Sequence, residues 1–196
     1  LIHLAVSHLV TQPVGLYFAT SLFQHMGMVI NSPVPPLCVM ARDILVSAVL
    51  NDLLFYVAHR SLHHRAVYKY VHKQHHRFNV SIGIAAEFAH PIEDVLANLL
   101  PTLGGVLLMG SHPVTVWVWV FLRVAETVDG HSGYELPFSP FYYTRPVFGG
   151  AAHHDWHHSH WNCGNYGSIF TDWVFGTDKL FRKFKAEQEQ RGKRLS

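Results

Sequence analysis

The sequence predicts an all-α protein in which two helical hairpins form a four-helix membrane anchor and a histidine-rich helical cap extends beyond it. Three observations support this fold class. Four apolar stretches form two pairs, each divided by a short helix-breaking segment, 49% of the 196 residues are hydrophobic whereas 14% are charged, and many of the 17 histidines recur at helical spacing. This composition is not typical of a soluble surface, and the mean hydropathy is positive.

The apolar stretches supply the four helices of the anchor. The first hairpin is predicted over residues 1–30 and 37–58, and the second over residues 92–128. The segments 31–36 and 110–113 break the stretches with Pro or Gly and contain no Lys, Arg, Asp or Glu, as is typical of tight turns. The two stretches of the second hairpin approach the ~20 apolar residues that a spanning helix needs.

The basic residues orient this anchor. They gather directly after the first hairpin and again near the C-terminus, and an even number of crossings separates the two groups. Because positively charged loops stay on the cytoplasmic side, the predicted cap, residues 59–91 and 129–184, should face the cytosol, followed by a polar tail over residues 185–196. The chain is predicted to be one membrane-embedded domain, residues 1–196. Basic residues that coincide with membrane ends also disfavour nucleic-acid binding.

Nine histidines form a spaced pattern. Residues three or four apart lie on one face of a helix, so one pair and two triplets each direct imidazoles to one point, and a single histidine completes the set. The nine are His59, His63, His72, His75, His76, His131, His154, His157 and His158. We expect these side chains to bind metal.

The number of histidines indicates more than one metal ion. Imidazole suits iron, zinc, copper and nickel, so the ligand type alone does not name the metal. Nine nitrogens exceed the four ligands that close a structural zinc site and instead fit two ions with about four or five nitrogens each. Two such ions favour redox chemistry, which zinc lacks. We therefore expect two iron ions, with zinc as a substitute in purified protein.

Four histidine motifs and three flanking segments carry a further signal. The motifs are His59-Arg60-Ser61-Leu62-His63-His64, His72-Lys73-Gln74-His75-His76, His131-Ser132-Gly133-Tyr134 and His154-Asp155-Trp156-His157-His158. The flanking segments are Ala89-His90-Pro91-Ile92-Glu93, Gly164-Asn165-Tyr166-Gly167 and Phe175-Gly176-Thr177-Asp178. Together they resemble the fatty acid hydroxylase/sterol desaturase superfamily, and look most like its C-4 methylsterol oxidase branch.

This resemblance implies a multi-pass protein of the endoplasmic reticulum membrane, with a cytosolic di-iron cap held by the nine histidines. It also implies a sterol or other lipid substrate, O2 as co-substrate, and electrons from NAD(P)H through cytochrome b5 and its reductase as separate proteins. Relatives that hydroxylate acyl chains carry a further histidine four residues before the position of His131, where this chain has Thr127. Either fewer nitrogens hold the metal here, with Asp129 or water in addition, or another histidine moves inward.

Other residues near the motifs are candidates for ligation or support. Metal-bound imidazoles usually donate their other N–H to a carboxylate or a carbonyl. The candidates for metal binding or for this support are His90, His153, Glu93, Asp129 and Asp155. A helix-start role for His90 and solvated or capping roles for the carboxylates stay open. We expect Tyr134, Asn165 and Tyr166 to brace the turns around the site.

These observations predict a membrane-bound di-iron monooxygenase that hydroxylates a lipid C–H bond with O2, with the C-4 methyl group of a sterol intermediate as the substrate. Another sterol hydroxylase, a sterol C-5 desaturase and a fatty acyl or sphingolipid hydroxylase are alternatives, because hydroxylation and desaturation begin with the same hydrogen abstraction. The alternative outside enzymes is a catalytically silent metal-binding scaffold in a lipid-synthesis complex.

Overall fold

A computed structural model describes residues 2–78, 82–160 and 162–195, so that residues 1, 79–81, 161 and 196 of the predicted segments lie outside the described ranges. Within those ranges the secondary structure is helical and contains no strand, which confirms the predicted all-α class. The α-helices are α1 (Ile2–Val6), α2 (Gln12–His25), α3 (Leu37–Leu62), α4 (Pro91–Glu93), α5 (Leu100–Leu108), α6 (Pro113–Gly130), α7 (Arg145–Phe148), α8 (Ala151–Ser159), α9 (Ile169–Phe175) and α10 (Lys179–Leu195).

The predicted first hairpin corresponds to α1, α2 and α3. A π-helical segment, Ser7–Thr11, joins α1 to α2, so the backbone is helical from Ile2 to His25. After the proline-rich turn, α3 begins at Leu37, directly behind Pro36. It continues to Leu62, beyond the apolar stretch that predicted it, and in its last turn His59 and Leu62 are buried while Arg60 and Ser61 are exposed.

The predicted second hairpin corresponds to α4, α5 and α6. A π-helical segment, Asp94–Leu99, connects α4 with α5. The resulting helix, Pro91–Leu108, is long and apolar enough to cross a membrane, and no other helix in the described ranges meets that criterion. His112 caps the returning helix α6, since its Nδ1 accepts a hydrogen bond from the backbone N–H of Val114. One helix of the predicted anchor is thus a candidate span by its length and composition, and the four-helix anchor stays a prediction.

Small residues allow α3 and α5 to pack closely. A Cβ atom at Gly105 would lie 2.3 Å from the Cα of Ser47, so a larger residue at Gly105 would force the helices apart. The adjoining buried cluster consists of Phe23, Leu103, Val106 and Trp119. This cluster joins α2, α5 and α6 in one bundle with α3.

The outer faces of the bundle are strongly apolar. Leu45, Trp117 and Phe121 are 67%, 69% and 72% exposed, respectively. Large exposed apolar patches are rare on soluble monomers and mark contact with lipid or a partner protein.

The cap consists of short helices that follow the two hairpins. The triplet His72, His75 and His76 lies on a 3-10 helix, His72–Arg77, rather than on the α-helix used to predict its geometry. Because side chains three residues apart eclipse one another in a 3-10 helix, the ring of His75 stacks over that of His72 at a centroid distance of 5.5 Å. At the other end of the chain, the predicted polar tail continues α10.

Candidate metal centre

The first histidine pair lies at the C-terminal end of α3. His59 is in the last turn and His63 is the C-cap residue. The two rings point to the same side, as their four-residue spacing predicts, and both are buried, with exposures of 2% and 6%. The end of α3 therefore delivers two imidazoles to the interior of the cap.

Helix α8 carries the second triplet, His154, His157 and His158. Gly149 and Gly150 precede this helix with φ values of +99° and +77°, a conformation that residues with a Cβ rarely adopt. Helix α8 follows this turn and meets the end of α3, where the Nε2 atoms of His157 and His63 are 3.1 Å apart.

His131 is positioned by the end of α6. It is the C-cap residue of that helix, and its backbone N–H donates to the carbonyl oxygen of Thr127 at 3.0 Å. Its ring Nδ1 lies 2.8 Å from the same oxygen. The backbone carbonyl of Thr127 thus orients His131.

The nine histidines converge in two groups. Each histidine contributes one ring nitrogen to its group, and within a group these nitrogens all lie within 4.8 Å of one another. The five-histidine group consists of His59, His63, His72, His76 and His157, and the four-histidine group of His75, His131, His154 and His158.

The Nε2 atoms of the five-histidine group surround one point. The Nε2 of His72 lies 3.0 Å from the Nε2 atoms of His59, His63 and His76. The Nε2 of His63 lies 3.1 Å from that of His157. One nitrogen cannot share hydrogen bonds with three others, since a neutral ring nitrogen has either one N–H or one lone pair. Metal–nitrogen bonds of about 2.1 Å at right angles would separate ligand atoms by about 3.0 Å, so the residues fit a metal ion.

The four-histidine group has similar spacing. The Nε2 of His154 lies 2.8 Å from that of His131 and 3.0 Å from that of His158, and the Nε2 of His131 lies 3.4 Å from that of His75. Because the consecutive residues His75 and His76 belong to different groups, the two candidate metal positions are neighbours.

Burial keeps these rings neutral. Removal from water is the largest cause of a lowered pKa at all nine histidines, and for most of them the charge of neighbouring histidines lowers the pKa further. The pKa of His131 falls to about 3 and that of His158 to about 4. Neutral imidazole is the form that binds metal, so the groups are ready for metal at neutral pH.

Backbone carbonyls of the loop after α8 orient two of the rings. The Nδ1–H of His59 donates to the carbonyl oxygen of Tyr166 at 2.6 Å, and that of His157 donates to the carbonyl oxygen of Gly164 at 2.8 Å. Each bond fixes the tautomer in which the Nε2 lone pair faces the group. Gly164 has a φ of +113°, and a Cβ there would lie 1.8 Å from the carbonyl oxygen of Thr177, so this carbonyl position requires glycine.

Glu93 orients a third ring. Its Oε1 accepts a hydrogen bond from the Nδ1 of His72 at 2.8 Å, and the two side chains are 5% and 1% exposed. Such a carboxylate–histidine pair raises the basicity of a metal-binding nitrogen. Among the predicted carboxylate candidates, Glu93 is therefore in contact with the five-histidine group.

Sequence comparisons agree with this arrangement. The model of the family described as "Fatty acid hydroxylase" matches residues 44–177. The chain belongs to the fatty acid hydroxylase family. This finding confirms the resemblance inferred from the histidine motifs.

Individual relatives differ in their named activities. The chain is 44% identical over 178 residues to the very-long-chain aldehyde decarbonylase GL1-8 of Oryza sativa subsp. indica, with 88% of this chain and 66% of the relative covered. It is 44% identical over 149 residues to methylsterol monooxygenase 1 of Rattus norvegicus, covering 75% and 50% of the two chains. For methylsterol monooxygenase 2-1 of Arabidopsis thaliana the identity is 40% over 184 residues, covering 86% and 67%. The chain thus spans just under two thirds of the rice relative and half of the rat relative. No solved structure matches the chain.

The sequence also predicted metal binding or a supporting role for His90, His153, Asp129 and Asp155. Within the described part of the chain, these four residues belong to neither histidine group. His90 is the N-cap residue of α4, and its Nδ1 accepts a hydrogen bond from the backbone N–H of Ile92 at 3.2 Å. His153 is buried with its Nε2 3.7 Å from Oδ2 of Asp172, and burial lowers its pKa to about 4. Asp129 and Asp155 are partly buried.

The three predicted bracing residues have different surroundings. Asn165 is buried, with a φ of +58°, and its Nδ2 donates to the carbonyl oxygen of His153 at 3.0 Å. The ring of Tyr166 lies against those of His59 and His63, at centroid distances of 6.0 and 5.1 Å. Tyr134 is 70% exposed, and its backbone N–H donates to the hydroxyl oxygen of Ser132 at 3.2 Å.

Two aspartates that the sequence did not single out hold the loop in place. The fully buried carboxylate of Asp172 accepts hydrogen bonds from the backbone N–H groups of Tyr166 and Gly167 at 2.9 and 3.0 Å. Asp52, on α3, accepts from the backbone N–H and the hydroxyl of Ser168 at 3.0 and 2.7 Å. The one sequence signal for Asp52 is its acidic side chain within an apolar stretch.

A cavity of about 240 Å³ lies between α3, α6 and the cap. Its lining is mostly apolar, with Phe55, Trp119 and Leu122 on the two helices, and it reaches His131 and His154 of the four-histidine group. No member of the five-histidine group lines it among the described residues. Cavities of this kind suit apolar ligands.

A second, small cavity lies between the two histidine groups. It has a volume of about 20 Å³ and is lined by members of both groups, including His59, His72, His75 and His131. A space of this size admits a single water molecule or a diatomic molecule such as O2.

Proposed function

We propose that the chain forms a membrane-bound, O2-dependent lipid monooxygenase that hydroxylates the C-4 methyl group of a sterol intermediate. The observation that carries this proposal is the position of the four-histidine group at one end of an apolar cavity. Such a cavity excludes water and holds hydrocarbon, so it can present one C–H bond to the metal-facing end. Membership of the fatty acid hydroxylase family and the relatives named as methylsterol monooxygenases support it.

The nine histidines are proposed to hold two iron ions, one in the five-histidine group and one in the four-histidine group. Bound iron supplies the redox chemistry with O2 that C–H hydroxylation requires. Zinc shares the preference for imidazole nitrogen and can take the same positions in purified protein without that chemistry. The contact between Thr127 and His131 favours the alternative in which fewer nitrogens hold one metal.

The residues around the metals are proposed to position the reactants. Phe55 and Leu122 contact the hydrocarbon of the substrate in the larger cavity, and the small cavity between the groups admits O2. The hydrogen bonds of Glu93 and of the loop carbonyls keep the rings from rotating as the reaction proceeds.

We propose a location in the endoplasmic reticulum membrane, with the histidine groups facing the cytosol. The apolar helix Pro91–Leu108 and the exposed apolar faces of α3 and α6 support membrane insertion. Cytochrome b5 and an NAD(P)H-dependent reductase, as separate proteins, would supply the electrons.

A second candidate function acts on long-chain aldehydes. The identity of 44% over 178 residues to a rice protein named as a very-long-chain aldehyde decarbonylase favours it. Both candidates use the same histidine groups and differ in the lipid that fills the cavity.

Reconstitution tests the choice between them. Iron-loaded protein is combined with cytochrome b5, its reductase, NAD(P)H and O2, and with a panel of 4-methylsterols, acyl lipids and long-chain aldehydes, and products are identified by mass spectrometry. A 4-hydroxymethylsterol is the expected product, and the His157→Ala variant should form none. The exposed neighbour of the first pair supplies a control, His64→Ala, which should retain turnover. Products from acyl lipids or aldehydes alone would replace the sterol assignment, and iron binding without O2 consumption would favour the scaffold.

A further inference from the structure

An ion pair lies on the wall of the larger cavity. Arg123 and Glu126, one turn apart on α6, both line the cavity and pair with each other. The side chains are 15% and 32% exposed. Holding a hydrocarbon does not require charged groups, and taking them out of water is unfavourable.

Part of this polar surface has no partner. The Nε of Arg123 is buried and forms no hydrogen bond with any described residue. Its guanidinium carbon lies 5.8 Å from the centre of the ring of Phe55, which also lines the cavity. On the facing helix α3, Asn51 is 8% exposed and also lines the cavity. A buried polar group without a partner is unfavourable, so the Nε–H of Arg123 is suited to a polar atom of a ligand.

The ion pair is close to the candidate metal position. Glu126 lies four residues, or about 6 Å along the helix axis, before Gly130, where α6 ends. His131, of the four-histidine group, follows directly. Glu126 and His131 also line the same cavity, so a ligand group bound at Glu126 lies in the part of the cavity near the four-histidine group.

We propose that Arg123 and Glu126 bind the hydroxyl group of a lipid alcohol, and that they select substrates whose hydroxyl lies a few bonds from the reacting carbon. This inference rests on the proposed function, since it names the substrate feature that the same cavity recognises. The guanidinium N–H groups donate to the hydroxyl oxygen, and the carboxylate accepts the hydroxyl hydrogen. Because the pair has no net charge, it suits a neutral alcohol better than a fatty carboxylate or a plain methylene chain. A sterol with its hydroxyl on the carbon beside C-4 has this arrangement.

Equilibrium binding to metal-loaded protein in lipid nanodiscs tests the inference without turnover. Two ligand pairs are compared: 4,4-dimethylcholestanol with its 3-deoxy analogue, and a long-chain primary alcohol with the matching alkane. We expect the wild type to prefer an alcohol by at least about tenfold, since a site built for a hydroxyl rejects the analogue that lacks it. Arg123→Met should reduce the preference to about twofold or less, and Glu126→Gln should reduce it in part.

A matched control separates this effect from the loss of any arginine. Arg145 is similarly buried, at 17%, and pairs with Glu135 outside the cavity, so Arg145→Met should retain the full preference. Glu126→Gln preserves side-chain size and tests the inference if Arg123→Met does not fold, as judged by thermal unfolding and metal content.

The outcomes separate this inference from the sterol assignment. The inference would be overturned if Glu126→Gln preferred the alcohol as strongly as the wild type does. It would also be overturned if the wild type showed no preference for an alcohol, or bound neither of the two ligand pairs. An equal loss in Arg145→Met would also overturn it. A preference for the primary alcohol that is lost in the variants, without binding of the sterol pair, would support the inference and refute the sterol assignment.

Discussion

The Glu93 carboxylate allows one candidate metal position to be weakened without touching a proposed ligand. Glu93 and His72 form a hydrogen bond of 2.8 Å, and their side chains are 5% and 1% exposed, so water cannot replace the lost partner. Glu93→Gln keeps the size of the side chain but removes its charge. Loss of such support typically weakens metal binding by about 10- to 100-fold, or about 1.4–2.8 kcal/mol. We expect that loss in the five-histidine group alone.

Metal retention during chelator titration measures this effect. Wild-type and variant proteins are equilibrated with graded chelator, and the metal per chain is measured by mass spectrometry. In Glu93→Gln, one of the two ions should leave at a chelator concentration about 10- to 100-fold lower, and the other should leave as in the wild type. Glu187→Gln, whose side chain is 51% exposed on α10, is the control and should not differ from the wild type. Unchanged release of both ions from folded Glu93→Gln would refute the reasoning.

Three further predictions concern the ring nitrogens and the loop. His157→Ala should lose the metal of the five-histidine group and all turnover but still insert into membranes, and turnover retained in that variant would contradict the assignment. Gly164→Ala should lower the unfolding temperature strongly, because its Cβ would overlap the Thr177 carbonyl, whereas Gly192→Ala, with no atom within 4 Å of its Cβ, should leave it unchanged or raise it. Metal-free protein should lose stability as the pH falls from 7 to 5 in urea unfolding. The pKa of His131 is lowered from 6.5 to about 3, so its ring stays neutral in the folded state while the unfolded chain takes up a proton. This difference lowers the free energy of unfolding by about 2 kcal/mol at pH 5. Greater stability at pH 5 than at pH 7 would contradict this prediction.

The sequence by itself determined the family, the helical class and the set of histidines that meet in the cap. These features depend on local spacing and composition. Residues such as His154, His157 and His158 share a helix face whatever the rest of the chain does. Pro36 likewise precedes the first residue of α3, although α2 already ends at His25, earlier than the predicted break at residues 31–36.

The tertiary structure decided how the histidines divide. His75 and His76 are adjacent in sequence but belong to different groups, whereas His63 and His157 are 94 residues apart and belong to the same one. No local pattern encodes this division, because it depends on the angles at which α3, the 3-10 helix and α8 approach one another.

The supporting polar groups also required the fold. Asp52 reaches Ser168 across 116 residues, and Glu93 reaches His72 across 21. Arg123 and Glu126 are an ordinary i, i+3 pair in sequence, and the cavity wall beside His131 is what turns them into a candidate binding surface. A carboxylate or an arginine has the same appearance in sequence whether solvent or a buried partner surrounds it, and only the packing of distant helices determines which of the two it meets.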